Sequence, residues 1–375
     1  MPNRVAIQLI STGGVYGAER SLLELAAYIK EAGWSSHVVA LEGEGATPLV
    51  QRAQALGLDA EAFVAIGRLG VLPMAKRLRQ LLARYPRAIV HSHGYKPDIL
   101  LAILGITRQR PCLATCHNWI SETRKMRLLE VLDKRVLRAF DHVVAVSREI
   151  CDQLISSGVR LSKVSIISNG INAPSVAEDA GRCVRSELGI PMNASLIVQI
   201  GRLARSKRNE LLLNALPRLP ASLDVHVLLV GEGDQAQSLV ELAHRLHLQT
   251  RVHFCGYRSD IPQVLASADL VALTSDKEGL PIVILEAMAM RCPIVSTRVG
   301  DIAHVLRESQ DAWLIPSSDV EALATAIRDA LSHPELARVK AENAYAQFSR
   351  YYSRSAMGAR YVNLYDIAWA QRGWA

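Results

Sequence analysis

The chain reads as an α/β protein of two Rossmann-like, doubly wound domains, and three observations predict this. Short apolar runs alternate with amphipathic segments along nearly all of its 375 residues, the pattern of parallel βαβ units. The alternation starts afresh near residue 190. Between the two series lies Asn169-Gly170-Ile171-Asn172-Ala173-Pro174, followed by a polar stretch to residue 182, which has the composition of a linker. The expected domains are therefore 1–172 and 173–349.

In the first domain, strands are expected over 4–10, 36–41, 88–92, 111–115 and 142–146, with helices over 18–31, 74–84 and 126–140. In the second, strands are expected over 195–200, 224–230, 251–255, 270–274 and 293–297. Helices follow over 319–332, 335–348 and 355–370. The expected architecture places the domains face to face across a cleft, with ligands at the carboxyl ends of the strands.

Half of the chain is hydrophobic, enough for two cores, and 5% is aromatic. No stretch approaches the roughly 20 unbroken apolar residues of a membrane span. Val5-Ala6-Ile7-Gln8-Leu9-Ile10 reads as a buried strand and not as a leader, so a cytoplasmic protein is expected. Cys112 and Cys116 lack the second pair that a zinc site needs, and the six cysteines read as reduced core thiols. No Asp-x-Asp follows any strand, and no metal site is expected. Residues 1–170 carry 22 Lys and Arg against 14 Asp and Glu, whereas 171–375 carry 21 against 22. The basic first half implies an anionic partner there.

The first strand leads into Thr12-Gly13-Gly14-Val15-Tyr16-Gly17-Ala18-Glu19-Arg20. Glycines here let backbone approach a phosphate at a helix start, where unpaired N–H groups attract anions. The loop alone leaves two alternatives open. Glu42 at the end of the second strand could hold a ribose hydroxyl, as in a nicotinamide enzyme; or the loop is simply a tight strand-to-helix turn.

Four segments of the second half place chemistry just past a strand. In Gly201-Arg202-Leu203-Ala204-Arg205-Ser206-Lys207, Arg202 and Lys207 are five apart across a loop and can turn toward one diphosphate, steadying charge that grows as a sugar leaves. Gly231-Glu232-Gly233 allows close approach of a flat base. Phe254-Cys255-Gly256-Tyr257-Arg258 offers a strand end that could read a base edge. In Ser275-Asp276-Lys277-Glu278-Gly279-Leu280-Pro281, Glu278 sits at a helix mouth, and Glu286 lies one to two turns inside. Carboxylates hold sugar and ribose hydroxyls well, and the amides of Gly279 and Leu280 add donors.

These residues resemble a known family. Gly-Arg-Leu-x4-Lys, then Gly-x-Gly, then Glu-x7-Glu followed by Ala-Met-Ala, is similar to retaining glycosyltransferase family 4, and the similarity covers essentially the whole chain. Gly17-Ala18-Glu19-Arg20, Cys116-His117 and Ser168-Asn169-Gly170-Ile171 resemble its N-terminal elements and hinge. The resemblance implies a GT-B fold and metal-independent transfer from a nucleotide sugar. It implies that Arg202 and Lys207 bind the diphosphate, Glu278 the transferred sugar and Glu286 the ribose. It also implies that His117 lines the reaction centre, that Gly14 meets donor phosphate or acceptor, and that the last helix, within 350–375, crosses back to the first domain. Three positions depart from the family pattern: Asn172 for Asp, Gly300-Asp301-Ile302-Ala303-His304 for Gly-Gly-x-x-Glu, and Arg208 for Gly.

The expected function is retaining transfer from a UDP- or GDP-sugar to a glycan or lipid-linked hydroxyl, in cell-surface glycan, polysaccharide or glycolipid synthesis. A sugar-nucleotide epimerase and a non-catalytic nucleotide-sugar-binding protein are the alternatives. His91 and His93 either face the cleft or are hydrogen-bonded strand-end residues. At 100° per residue Arg124, Arg127, Lys134, Arg135 and Arg138 share one helix face, with Met126, Leu129, Leu132, Val136 and Phe140 opposite. Lys76, Arg77, Arg79, Arg84 and Arg87 form a second basic group. Such faces are either solvated or dock on anionic lipid at the inner membrane face. Nucleic acid is not an expected partner, because aromatics do not interleave the charges.

Overall fold

The structure, a computed structural model, describes residues 4–11, 17–41, 47–63, 71–117 and 123–374. The chain divides into two compact units, one of Met1–Asn172 with Arg354–Ala375, the other of Ala173–Ser353.

The first unit holds seven parallel strands: β1 (Val5–Ser11), β2 (Ser35–Leu41), β3 (Asp59–Phe63), β4 (Ile89–His93), β5 (Cys112–Cys116), β6 (His142–Ala145) and β7 (Val164–Ile166). Their order is β3-β2-β1-β4-β5-β6-β7, so the chain reverses direction across the sheet between β1 and β4. The second unit holds β8 (Ser195–Ile200), β9 (Val225–Val230), β10 (Val252–Phe254), β11 (Leu270–Leu273), β12 (Ile294–Thr297) and β13 (Trp313–Ile315). Their order is β10-β9-β8-β11-β12-β13, with the reversal between β8 and β11. The central strands are covered on both faces, so β1, β4, β5, β9 and β12 are buried almost throughout; most of their positions are apolar, and the polar ones, such as Gln8, His91, Ser92 and His93, are buried with them.

Three strands escape the sequence pattern: β3, β7 and β13. All three lie at sheet edges and are only three to five residues long; β3 and β7 are half-covered and carry a weak apolar signal, whereas β13 is apolar and mostly buried but only three residues long. The expected helices occur with small shifts: 126–140 is a helix over Arg124–Val136 that tightens into a 3₁₀ turn over Leu137–Ala139.

The last helix, Arg354–Gln371, belongs to the first unit. Met357, Tyr361, Leu364, Tyr365, Ala368 and Trp369 recur at helical spacing and bury against Ala6, Leu25, Ile29, Trp34 and Ile89. Trp34 stacks edge-on to Trp369 at 5.5 Å and meets Tyr365 at 5.4 Å. Gly358 lets the helix close on Gly17–Glu31, because a Cβ there would lie 2.1 Å from the Tyr28 ring. The linker is fastened to both helices: Gly170 N–H meets Met357 Sδ and Arg354 N–H donates to the Ile171 carbonyl, while Ser21 Oγ of the helix Gly17–Glu31 donates to Asn169 Oδ1. Among the described residues no helix is long and apolar enough to cross a membrane. Of the six free cysteines four are buried, but Cys183 is exposed on the helix Ala180–Glu187 and is no core thiol.

Candidate active site

In the second unit the loops after β8 and β11 leave the sheet at its reversal, where ligands of doubly wound sheets bind. Arg202, Lys207 and Glu278 ride on those two loops. Lys207 Nζ is ion-paired with Glu278 Oε1, and Ser275 Oγ donates to the same oxygen at 2.6 Å. Both charged side chains are largely covered, at 22% and 10% exposure. Arg202 is exposed and pairs with no carboxylate among the described residues, so its guanidinium is available to an anion.

The two loops are latched together. Thr274 Oγ1 accepts from Gln199 Nε2 at 2.8 Å and donates toward the carbonyls of Lys207 and Arg208, each at 2.9 Å. The Asp276 N–H donates to the Ser206 carbonyl, and Thr297 Oγ1 to the Ser275 carbonyl. Arg208 adopts φ +49°, a left-handed backbone that an L side chain enters only at some strain, which gives a physical reason for the family's usual glycine. Its side chain is held in compensation by Asp276 at 2.9 Å and Glu210 at 2.6 Å.

Glycine at 231, 233 and 300 answers to backbone crowding. A Cβ on Gly231 would lie 2.0 Å from the Gly201 carbonyl oxygen, and one on Gly233 2.2 Å from that of Leu203. Leu203 N–H donates to the Glu232 carbonyl, and Gly231 N–H to that of Gly256, so the parallel ladder continues beyond the strands. The close approach that Gly-x-Gly permits is thus to the neighbouring loop. Gly300, at φ +52°, would place a Cβ 1.8 Å from the Glu278 carbonyl oxygen, so it holds the loop that carries Glu278.

The other expected positions divide. Gly201 and Leu280 are half-covered, Glu232 and Gly279 are exposed, and a Cβ on Gly279 would meet nothing within 4 Å. Glu286 is half-buried on Ile282–Ala289, for which Pro281 is the N-cap and not the first helical residue. Tyr257 is 75% exposed. Arg258 departs from the expectation of a nucleotide contact: Glu187 takes its Nη1 and Nη2 at 2.8 and 3.0 Å, and Asp260 takes Nε and Nη2 at 2.9 and 2.6 Å. All three of its nitrogens serve the fold.

In the first unit Gly14 lies outside the described residues, as does Glu42, while Gly17 opens the helix Gly17–Glu31 with free space around its Cα. His117 follows β5, and its Nε2 lies 3.4 Å from His93 Nδ1, whereas its buried Nδ1 has no partner among the described residues. His93 Nε2 meets Gln8 Oε1 at 2.9 Å. His91 is completely buried between Tyr365 Oη and Thr115 Oγ1, each at 2.7 Å, so of its two readings the hydrogen-bonded strand residue holds. Burial pushes the His91 imidazole down to about 3 and that of His117 to about 4, and holds His93 well below its ordinary value. All three are therefore neutral at physiological pH. Sequence reasoning missed Gln8, Thr115, Thr274, Ser275 and Tyr365. Gln8 and Gln199 carried a signal: each is a lone amide inside an otherwise apolar strand.

The basic helix also differs from its projection. Its exposed face carries Leu128 (71%), Val131 (55%) and Leu132 (39%) beside Arg127, Arg135 and Arg138. Lys134 pairs with Glu130 at 2.6 Å, and Asp133 is buried. The side chain of Arg124 lies outside the described residues. Lys76, Arg77, Arg79, Arg84 and Arg87 are exposed, as a solvated face requires.

The chain matches Glycosyltransferase Family 4 over residues 15–173 and Glycosyl transferases group 1 over residues 184–347. It is 25% identical over 298 residues to N-acetyl-alpha-D-glucosaminyl L-malate synthase of Bacillus anthracis, covering 78% of each chain. It is 26% identical over 269 residues to the Escherichia coli UDP-Gal:alpha-D-GlcNAc-diphosphoundecaprenol alpha-1,3-galactosyltransferase, covering 67% of this chain and 68% of that one. Among solved structures it is similar to Anabaena HepE in complex with UDP, with a TM-score of 0.83 at 24% identity over 96% of this chain and 98% of the other. With both halves matched and both Rossmann-like sheets in place, the chain belongs to the family 4, group 1 glycosyltransferases of the GT-B fold.

Proposed function

We propose that this glycosyltransferase takes its sugar from a UDP- or GDP-sugar, with retention of configuration and without a metal, and passes it to a glycan or lipid-linked hydroxyl. The observation that carries the proposal is the pair Arg202 and Lys207 at the sheet reversal, one free and one beside Glu278. Together they supply the charge that a leaving diphosphate needs. HepE bound to UDP and the UDP-Gal named for the E. coli relative support the donor class, and the diphosphoundecaprenol in the latter name supports a lipid-linked acceptor. The acceptor hydroxyl attacks the anomeric carbon on the face the diphosphate leaves, and the departing diphosphate oxygen takes its proton. Glu278, held by Lys207 and Ser275, grips sugar hydroxyls and is no nucleophile. His117, neutral and with no partner on Nδ1 among the described residues, serves sugar transfer as a hydrogen-bonding group.

Calorimetric titration of UDP and GDP into two variants tests this assignment. Glu278→Ala should lower kcat roughly tenfold and leave nucleoside diphosphate affinity at or above wild type, because that ligand has no sugar to lose and Lys207 is set free. Glu286→Ala should weaken nucleoside diphosphate and donor alike, through loss of the ribose contact. The opposite pattern would reverse the two roles.

The exposed Leu128, Val131 and Leu132 with Arg127 and Arg135 support an anionic membrane face for the acceptor. Apolar side chains enter the headgroup region, and each nearby basic residue adds about 1 kcal/mol. The protein should co-sediment with vesicles rich in anionic lipid and be released by high salt, since the attraction is screened over about 8 Å at physiological ionic strength. Leu128→Glu should abolish it. Equal binding to neutral vesicles would remove the electrostatic part, and no binding to either kind would leave the helix an ordinary surface.

A further inference from the structure

Seven polar side chains of the first unit form one continuous chain. It runs from His117 Nε2 to His93 Nδ1 at 3.4 Å, then from His93 Nε2 to Gln8 Oε1 at 2.9 Å. Gln8 Nε2 donates to Tyr365 Oη at 2.8 Å, and Tyr365 Oη meets His91 Nδ1 at 2.7 Å. His91 Nε2 reaches Thr115 Oγ1 at 2.7 Å, and Thr115 lies 2.9 Å from Tyr361 Oη. Four separate elements meet in this chain: β1, β4, the end of β5 and the C-terminal helix. None of the groups carries charge, since the three imidazoles are neutral and both phenols are pushed above their ordinary range by burial.

Gln8 is the one member whose two ends differ in kind: its carbonyl only accepts and its amide nitrogen only donates. Its orientation therefore sets every proton between itself and His117. With the carbonyl toward His93, that ring carries its proton on Nε2 and presents a lone pair at Nδ1. His117 must then carry its proton on Nε2 and donate it to His93. Its Nδ1 is left a bare acceptor, buried and without a partner among the described residues. In the other direction, the Gln8 amide occupies a lone pair of Tyr365, whose hydroxyl proton goes to His91. The reverse arrangement would leave a buried N–H on His117 unpaired, the rarer kind of orphan.

We propose that Gln8, His93 and Tyr365 are positioning residues that fix the ring and tautomer of His117, so that Nδ1 is offered to a sugar hydroxyl of the substrate. The C-terminal helix, which returns to this unit from the far end of the sequence, thereby acts on the reaction through Tyr365 without touching substrate. The inference rests on the reading that His117 serves sugar transfer, but its first test needs no turnover.

That test is nitrogen NMR of the protein labelled at histidine, at neutral pH. His117 should appear as a neutral ring protonated at Nε2. A His117 protonated at Nδ1, or charged, would overturn the proposal in the unaltered protein. Tyr365→Phe keeps the ring that packs on Trp34 and removes only the hydroxyl. It should turn the single His117 tautomer into a mixture and lower kcat at least fivefold, with KM for the donor within twofold. Gln8→Leu, which breaks the chain one link nearer, should do the same and serves if Tyr365→Phe melts. A variant that keeps wild-type tautomer signals or wild-type kcat, at a temperature where it is folded, would also overturn it. If the wild type turned over no UDP- or GDP-sugar, the donor assignment would fall and the tautomer measurement would decide this inference alone.

Discussion

Alanine at Lys207 is expected to lower transferase turnover by roughly a hundredfold, and alanine at Arg202 by at least tenfold, with neither variant losing its fold. A hydrogen bond to a charged group contributes about 1.5–3 kcal/mol, and each 1.36 kcal/mol in the barrier is tenfold in rate. Arg202 is exposed and has no partnering carboxylate among the described residues, so the melting temperature of its variant should not move. Lys207 does more. It faces a diphosphate and also steadies Glu278, which without it keeps only the Ser275 hydroxyl on that oxygen. Its loss should therefore reduce turnover more than that of Arg202, and part of the excess should vanish in a Lys207→Ala/Glu278→Gln double variant, where no carboxylate is left unpaired. The measurement is donor turnover with purified protein against UDP- and GDP-sugars. Near-normal rates in both single variants would remove the clamp.

What was legible in the sequence follows a physical division. Strands covered on both faces announce themselves, so β1, β4, β8, β9 and β11 and the loops behind them were readable, and with them Arg202, Lys207 and Glu278. The edge strands β3 and β7 were not, because half-covered backbone tolerates polar residues such as those of Asp59–Phe63, although the edge strand β10 was readable. Pairings were not legible either. The basic residues at 202, 207 and 258 look alike in sequence, yet Arg202 is free, Lys207 meets Glu278, and Arg258 is fully engaged by Glu187 and Asp260. A glycine motif likewise gives no hint of whether a ligand or a neighbouring loop is the close neighbour; at Gly231 and Gly233 it is the loop. The link from Gln8 to Tyr365 spans 357 residues and has no local pattern at all.

Acidification should begin to destabilise the first unit near pH 6.5, before ordinary carboxylates protonate. An unfolded histidine takes up a proton near pH 6.5, whereas His117 resists to about 4 and His91 to about 3, and His93 is held well below its ordinary value. Between those limits the unfolded chain binds more protons than the folded one, so stability falls as pH falls. Asp98 works the other way. It is buried beside Asp133 and holds its proton far above the usual carboxylate range, so between its ordinary value and its folded one it favours the fold more as pH falls. Among the described residues of this unit the half-buried His142 is lowered too and Glu24 is raised like Asp98, so the buried histidines outnumber the acids that oppose them and stability falls on balance as pH falls below 6.5. Against a typical stability of roughly 5–15 kcal/mol, a net difference of even one proton over two pH units is a sizeable share. Trp34 and Trp369 are buried in its core, so tryptophan emission in urea titrations at pH 7.5, 6.0 and 5.0 follows it. The midpoint should fall along that series, and His91→Gln, which removes one of the histidines held neutral by burial, should make it fall less steeply. A midpoint that stays level from pH 6.0 to 5.0 would mean that the buried imidazoles accept protons in the folded state, and the neutral hydrogen-bonded chain behind His117 would have to be abandoned.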